Sequence, residues 1–77
     1  FYFRGVAYYK LGDYKKALQD FSSGIVIDST DKDLYFQRAI TNIKLEQQSS
    51  VCNDLLKSKN LGSKEAEEAY NRLCLKR

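Results

Sequence analysis

Sliding the chain along itself brings it into register at an offset of 34 residues, and this internal repeat narrows the available folds more than any other feature. Matched pairs run through the whole overlap. Phe1/Tyr35, Tyr2/Phe36, Arg4/Arg38, Gly5/Ala39, Val6/Ile40, Lys10/Lys44 and Leu11/Leu45 fall in the first half, and Ala17/Val51, Asp20/Asp54, Phe21/Leu55, Ile27/Leu61 and Ser29/Ser63 in the second. A third copy begins near Ala69 and sets Tyr70, Arg72 and Cys74 against Tyr2, Arg4 and Val6. Units repeated at this length stack side by side, each covering the apolar face of the next.

Within each unit the apolar residues recur at intervals of three and four, and the chain has no proline to interrupt them, so each unit reads as two helices joined by a short turn. In the first unit Phe1, Gly5, Tyr8 and Leu11 form one face, Gly12-Asp13 supplies the turn with Asp13 as N-cap, and Ala17, Leu18, Phe21 and Ile25 continue on the second helix. Asp28-Ser29-Thr30-Asp31 gathers turn and cap residues before a third helix, and Gln47-Ser49 separates that helix from Val51, Leu55 and Leu56. Gly62-Ser63 ends the fourth helix and caps a fifth, which carries Ala66, Ala69, Tyr70 and Leu73 on one stripe. Its other face is polar, with Glu68 and Arg72 at ion-pair spacing, as suits a terminal helix. The predicted fold is all-α: one domain of residues 1–77, with repeat one over 1–31, repeat two over 32–62 and a capping helix over 63–77.

Phe1-x-x-Arg4-Gly5-x-x-Tyr8 followed by Ala17-x-x-x-Phe21 resembles the tetratricopeptide repeat signature, Trp-x-x-Leu-Gly-x-x-Tyr then Ala-x-x-x-Phe on a period of 34. The resemblance extends over the whole chain, more closely in repeat one than in repeat two. The second repeat has Ala39 for the glycine, Asn42 for the tyrosine, Val51-x-x-x-Leu55 for Ala-x-x-x-Phe, and Glu46-Gln47 for Gly12-Asp13. Ser29 and Ser63 stand where the family has proline.

The resemblance implies an α-solenoid whose inner surface is lined by the first helix of each hairpin. Here that surface comprises Tyr2, Val6, Tyr9, Lys10, Phe36, Gln37, Ile40, Ile43 and Lys44, an apolar strip with a polar rim that suits a docked protein, peptide or helix. Family members that clamp the carboxylate tail of heat-shock chaperones place lysine, asparagine and arginine at points occupied here by Tyr2, Val6, Gln37, Glu67 and Asn71, so that specificity is not expected.

Catalysis has little to work with. The chain contains no histidine, which removes the commonest general base and metal ligand, and two cysteines alone do not complete a zinc site. Its four glycines are scattered singly, with no phosphate-binding loop among them. Thirteen Lys and Arg against ten Asp and Glu leave +3 with the signs interspersed, which is not the clustered basic face of a nucleic-acid binder. No apolar run reaches the length of a membrane span, and no cofactor or metal is expected. With 43% hydrophobic residues and ten aromatics the chain has the apolar surface to fold. It has no methionine and opens on Phe1-Tyr2-Phe3, which reads as the middle of an element, so a segment of a longer protein is expected.

Three further features shape the expectation. Arg4/Asp20 and Arg38/Asp54 share a spacing of 16, which in an antiparallel hairpin faces arginine on one helix with aspartate on the other, a structural ion pair in each repeat. Cys52 early in the fourth helix and Cys74 late in the fifth come together if those helices are antiparallel. The spacing leaves open whether they bridge, as in an exported protein, or serve as small apolar residues, as in a cytosolic one. The first helix is apolar nearly all round, through Phe1, Phe3, Ala7 and Leu11, so its outer face should be covered by an earlier repeat or by a second copy of the chain. The function expected is non-catalytic protein binding in the groove; the alternative is a C-terminal cap or self-association segment of a longer array.

Overall fold

Three of the helices begin where a short polar side chain accepts from backbone N–H groups left free in the first turn. Asp13 accepts from Lys16 N at 3.2 Å and opens α2 (Tyr14–Ile27). Asp31 accepts from Asp33 N at 2.9 Å and Leu34 N at 3.4 Å and opens α3 (Lys32–Lys44). Ser63 accepts from Ala66 N at 3.1 Å and opens α5 (Lys64–Leu73). The remaining two, α1 (Tyr2–Lys10) and α4 (Val51–Asn60), start without a side-chain cap, and α4 is entered through a 3-10 turn at Gln48–Ser50. This computed structural model describes residues 1–75; positions 76 and 77 of the expected capping segment lie outside the described residues.

The chain reverses three times by one device. After α1, Gly12 N donates to Tyr9 O at 3.0 Å and Asp13 N to Tyr8 O at 2.9 Å, with Gly12 at φ 84°. After α4, Gly62 N donates to Lys59 O at 2.9 Å and Ser63 N to Ser58 O at 3.1 Å, with Gly62 at φ 109°. These are Schellman closures, in which a left-handed residue lets the chain turn back over the last carbonyls. After α3 the same bonds form, Glu46 N to Ile43 O and Gln47 N to Asn42 O, although the left-handed residue is Glu46 at φ 58°. The departure of Glu46-Gln47 from Gly12-Asp13 therefore leaves the turn intact and costs its N-cap, since Gln47 makes no capping bond and a 3-10 turn intervenes.

Successive helices fold back on one another: α1 packs on α2, α2 on α3, α3 on α4 and α4 on α5. Among the described residues the architecture is all-α, two helical hairpins followed by a fifth helix. The core lies in two clusters, one of Ala17, Phe21 and Leu34, the other of Ala39, Val51, Leu55, Ala66 and Ala69. Gly5 is required by close approach, because a Cβ there would lie 2.6 Å from the Phe21 ring. Several local expectations differ from the structure: Leu73, expected on the apolar stripe of α5, is 51% exposed at the last residue of that helix. Leu11 caps the end of α1 and is 81% exposed, because the helix stops at Lys10 and the turn carries the next side chain off the packing face. The Glu68–Arg72 pair is not formed, and both side chains are exposed.

Candidate protein-docking surface

Each hairpin is fastened by a two-point arginine–aspartate contact. Arg4 donates Nε to Asp20 Oδ2 at 2.9 Å and Nη2 to Oδ1 at 2.8 Å; Arg38 donates Nε to Asp54 Oδ2 at 2.8 Å and Nη2 to Oδ1 at 2.9 Å. Both carboxylates are buried, so the planar guanidinium fork satisfies oxygens that water no longer reaches. Hydrogen bonding from Arg4 holds the Asp20 carboxyl below the usual carboxylate range, and Asp54 raises the already high pKa of Arg38. The pairs differ in shelter. Arg38 also reaches Ser22 Oγ of α2 at 3.5 Å and its side chain is 26% exposed, whereas that of Arg4 is 64% exposed. Each fork sits near an aromatic ring at the start of its helix, Phe1 for Arg4 and Tyr35 for Arg38. The Tyr35 hydroxyl donates to Ser29 O at 2.9 Å and ties α3 to the loop before it. These contacts tie α1 to α2 and α3 to α4.

Along those two helices lies the strip that the sequence singles out. Tyr2, Val6 and Tyr9 are half-buried and pack against the first core cluster, with the Tyr2 ring 6.4 Å from that of Phe21 and Tyr9 edge-on to Tyr14 at 5.2 Å. Phe36 and Ile43 are half-buried against the second cluster. Gln37 and Ile40 are half-buried as well, and the Gln37 carbonyl accepts from Thr41 Oγ1 at 2.7 Å. Lys10 and Lys44 are exposed, each in the last turn of its helix. The strip thus divides into two rows, each seated on its own cluster. Two residues outside it, Tyr70 and Cys74 on and just after α5, are also half-buried against the cluster that seats Phe36 and Ile43. The repeat offset carries their signal, since each falls 34 residues after a strip position.

Two other features stand apart from the strip. An open recess of about 510 Å³ lies between α1 and α2, lined by Phe1, Arg4, Leu18, Gln19, Asp20, Ser22 and Ser23, and none of the strip residues borders it. Cys52 and Cys74 form a disulfide across 22 residues of chain, with Cα atoms 5.8 Å apart, joining the start of α4 to the end of α5.

An all-α chain of hairpins that repeats its ion pairs at a fixed offset belongs to the helical-repeat class. The tetratricopeptide repeat family profile matches residues 1–31, the span of the first hairpin. The first hairpin is therefore similar to a tetratricopeptide repeat, and the described residues as a whole form an all-α helical-repeat arrangement. No curated protein and no solved structure matches it. Tetratricopeptide repeats generally mediate protein–protein interaction and are typically non-catalytic. Among the described residues no helix is long and apolar enough to cross a membrane.

Proposed function

We propose that this chain is a non-catalytic protein-binding module that takes a partner peptide or helix along the first helices of its two hairpins. The observation that supports this is the half-burial of Tyr2, Val6, Tyr9, Phe36, Gln37, Ile40 and Ile43. Such side chains are held in place by the core while still presenting apolar surface, so ordering them on binding costs little. Aromatic anchors of that kind carry most of the affinity in protein interfaces. Lys10 and Lys44 at the ends of α1 and α3 favour an acidic segment, steering it more than holding it. The net +3 is spread among interspersed acids, so the partner is a protein and not a nucleic acid. The binding unit is the whole of residues 1–77, with hairpins over 1–31 and 32–62 and a terminal segment over 63–77.

A displayed library of short peptides, selected on the chain, supplies the test. Acidic peptides with apolar anchors should emerge, and Phe36→Ala/Ile40→Ala should weaken them at least tenfold, by about 1.4 kcal/mol or more, with helicity retained. Unchanged affinity in that variant contradicts the assignment.

A second reading, a structural end piece or self-association segment, is favoured by one observation: Phe3 on α1 is 83% exposed. Sedimentation across a concentration series separates the two, since self-association through α1 gives a rising mass that Phe3→Lys abolishes.

A further inference from the structure

The fifth helix joins the core through small side chains and is also tied to α4 by a covalent bond. Its buried residues are two alanines, Ala66 and Ala69, and most of the remainder, Lys64, Glu65, Glu67, Glu68, Asn71 and Arg72, is charged or polar and exposed. Methyl groups of that size remove little apolar surface from water, and a short isolated helix is marginal on its own. Ser63 N donates to Ser58 O in the turn before α5, while the Cys52–Cys74 disulfide fastens its end to the start of α4, so the helix is tied at both ends and packs through small side chains between.

What the helix carries is continuous with the docking strip. Tyr70 is the third member of the series Tyr2, Phe36, Tyr70, and Cys74 the third of Val6, Ile40, Cys74, at the same offset of 34. Tyr70 and Phe36 are seated on one core cluster and are both half-buried. The Lys59 ammonium stands 5.2 Å above the Tyr70 ring, placing a cation beside this position as well. We infer that Tyr70 is a third anchor of the docking strip and that the Cys52–Cys74 disulfide is a redox lock holding it in line with Phe36. This rests on the strip being the docking surface.

Unlocking takes a dithiol reductant. Its thiolate attacks Cys52 Sγ, the sulfur of the more exposed cysteine, forming a mixed disulfide and releasing Cys74 as the thiolate, which takes up a proton. The second thiol of the reductant then displaces Cys52, so two electrons and two protons pass to the protein and the reductant leaves as a cyclic disulfide. With both thiols free, α5 keeps its turn from α4 and the packing of Ala66, Ala69, Tyr70 and Cys74, but its far end is no longer tied to α4 and Tyr70 no longer stays in register with Phe36.

The test uses the whole chain and two readouts. Amide hydrogen exchange is followed with and without dithiothreitol, and the affinity of a peptide selected on the oxidised chain is measured in both states and in Tyr70→Ala. Reduction should speed exchange in 64–73 at least about tenfold while amides of α3 keep their protection. Peptide affinity should fall about tenfold on reduction and by a similar factor in oxidised Tyr70→Ala. Unchanged exchange in 64–73 overturns the lock. Lost protection with unchanged affinity overturns Tyr70 as an anchor. If Tyr70→Ala binds normally but Phe36→Ala/Ile40→Ala does not, the strip stands and its third anchor falls; if neither variant changes affinity, the strip itself is wrong.

Discussion

Hairpin one and hairpin two solve the same packing problem with different atoms. Where α1 crosses α2, hairpin one pairs Gly5 with the fully buried Phe21; 34 residues later, hairpin two pairs Ala39 with the fully buried Leu55. The smaller partner on one helix goes with the larger ring on the other, so the summed volume is nearly kept while the shapes change. The ion pairs diverge in the opposite sense. Their atoms and distances are almost the same, but α2 lies beside Arg38 and shelters it, while Arg4 faces α2 with most of its side chain open to water. A repeat thus conserves its geometry through paired compensation inside each unit, and its energetics depend on which neighbours surround that unit.

The largest effect should come from breaking the sheltered ion pair. Arg38→Ala leaves the buried Asp54 carboxylate without its partner and should cost about 3–5 kcal/mol in urea unfolding. Arg4→Ala should cost clearly less, because water reaches Asp20 once the open Arg4 side chain is gone. Equal costs would show that the neighbouring helix does not matter.

The volume exchange is next. Gly5→Ala drives a methyl into the Phe21 ring and should destabilise by about 1–3 kcal/mol. The double variant Gly5→Ala/Phe21→Leu rebuilds the pairing of hairpin two inside hairpin one. It should recover about 1 kcal/mol or more relative to the sum of the single changes, as a double-mutant cycle measures. Simple additivity would break the compensation argument.

Acid titration sharpens the ion-pair comparison. Because Arg4 holds the Asp20 pKa below its ordinary 3.8, the pair's contribution is complete above that value in pH and is lost as pH falls through the lower value of the folded state. Unfolding monitored from neutral pH downward should show this loss in the wild-type chain and a shallower one in Asp20→Asn. The smallest effect belongs to the turns. Glu46→Gly should stabilise by up to about 1 kcal/mol by relieving a left-handed glutamate, and Gly12→Ala should destabilise by about that amount.

Much of this comparison is legible in the sequence because the repeat makes each position its own control. The offset of 34 pairs Arg4 with Arg38 and Asp20 with Asp54, and the separation of 16 is that of facing positions in a helical hairpin. The turns at Gly12 and Gly62 announce themselves through residues that adopt positive φ without penalty. Other features leave no such mark. Leu11 continues the apolar rhythm of α1 but falls one residue past its end, and periodicity alone does not say where a helix stops. Glu46 takes up a conformation its chemistry disfavours because the backbone bonds that close the end of α3 impose it, a demand of the turn that the residue type does not reveal. The unequal shelter of Arg4 and Arg38 depends on which helix lies next to each, and so emerges only from the packed arrangement.

The docking strip is tested most directly by nitrogen-15 chemical-shift mapping of the whole chain with an acidic peptide selected on it. The account predicts that the perturbed amides cluster at Tyr2, Val6 and Tyr9 on α1 and at Phe36, Gln37, Ile40 and Ile43 on α3. Perturbations centred instead on the exposed side of α2 and α4, at Val26 and Leu56, would contradict it.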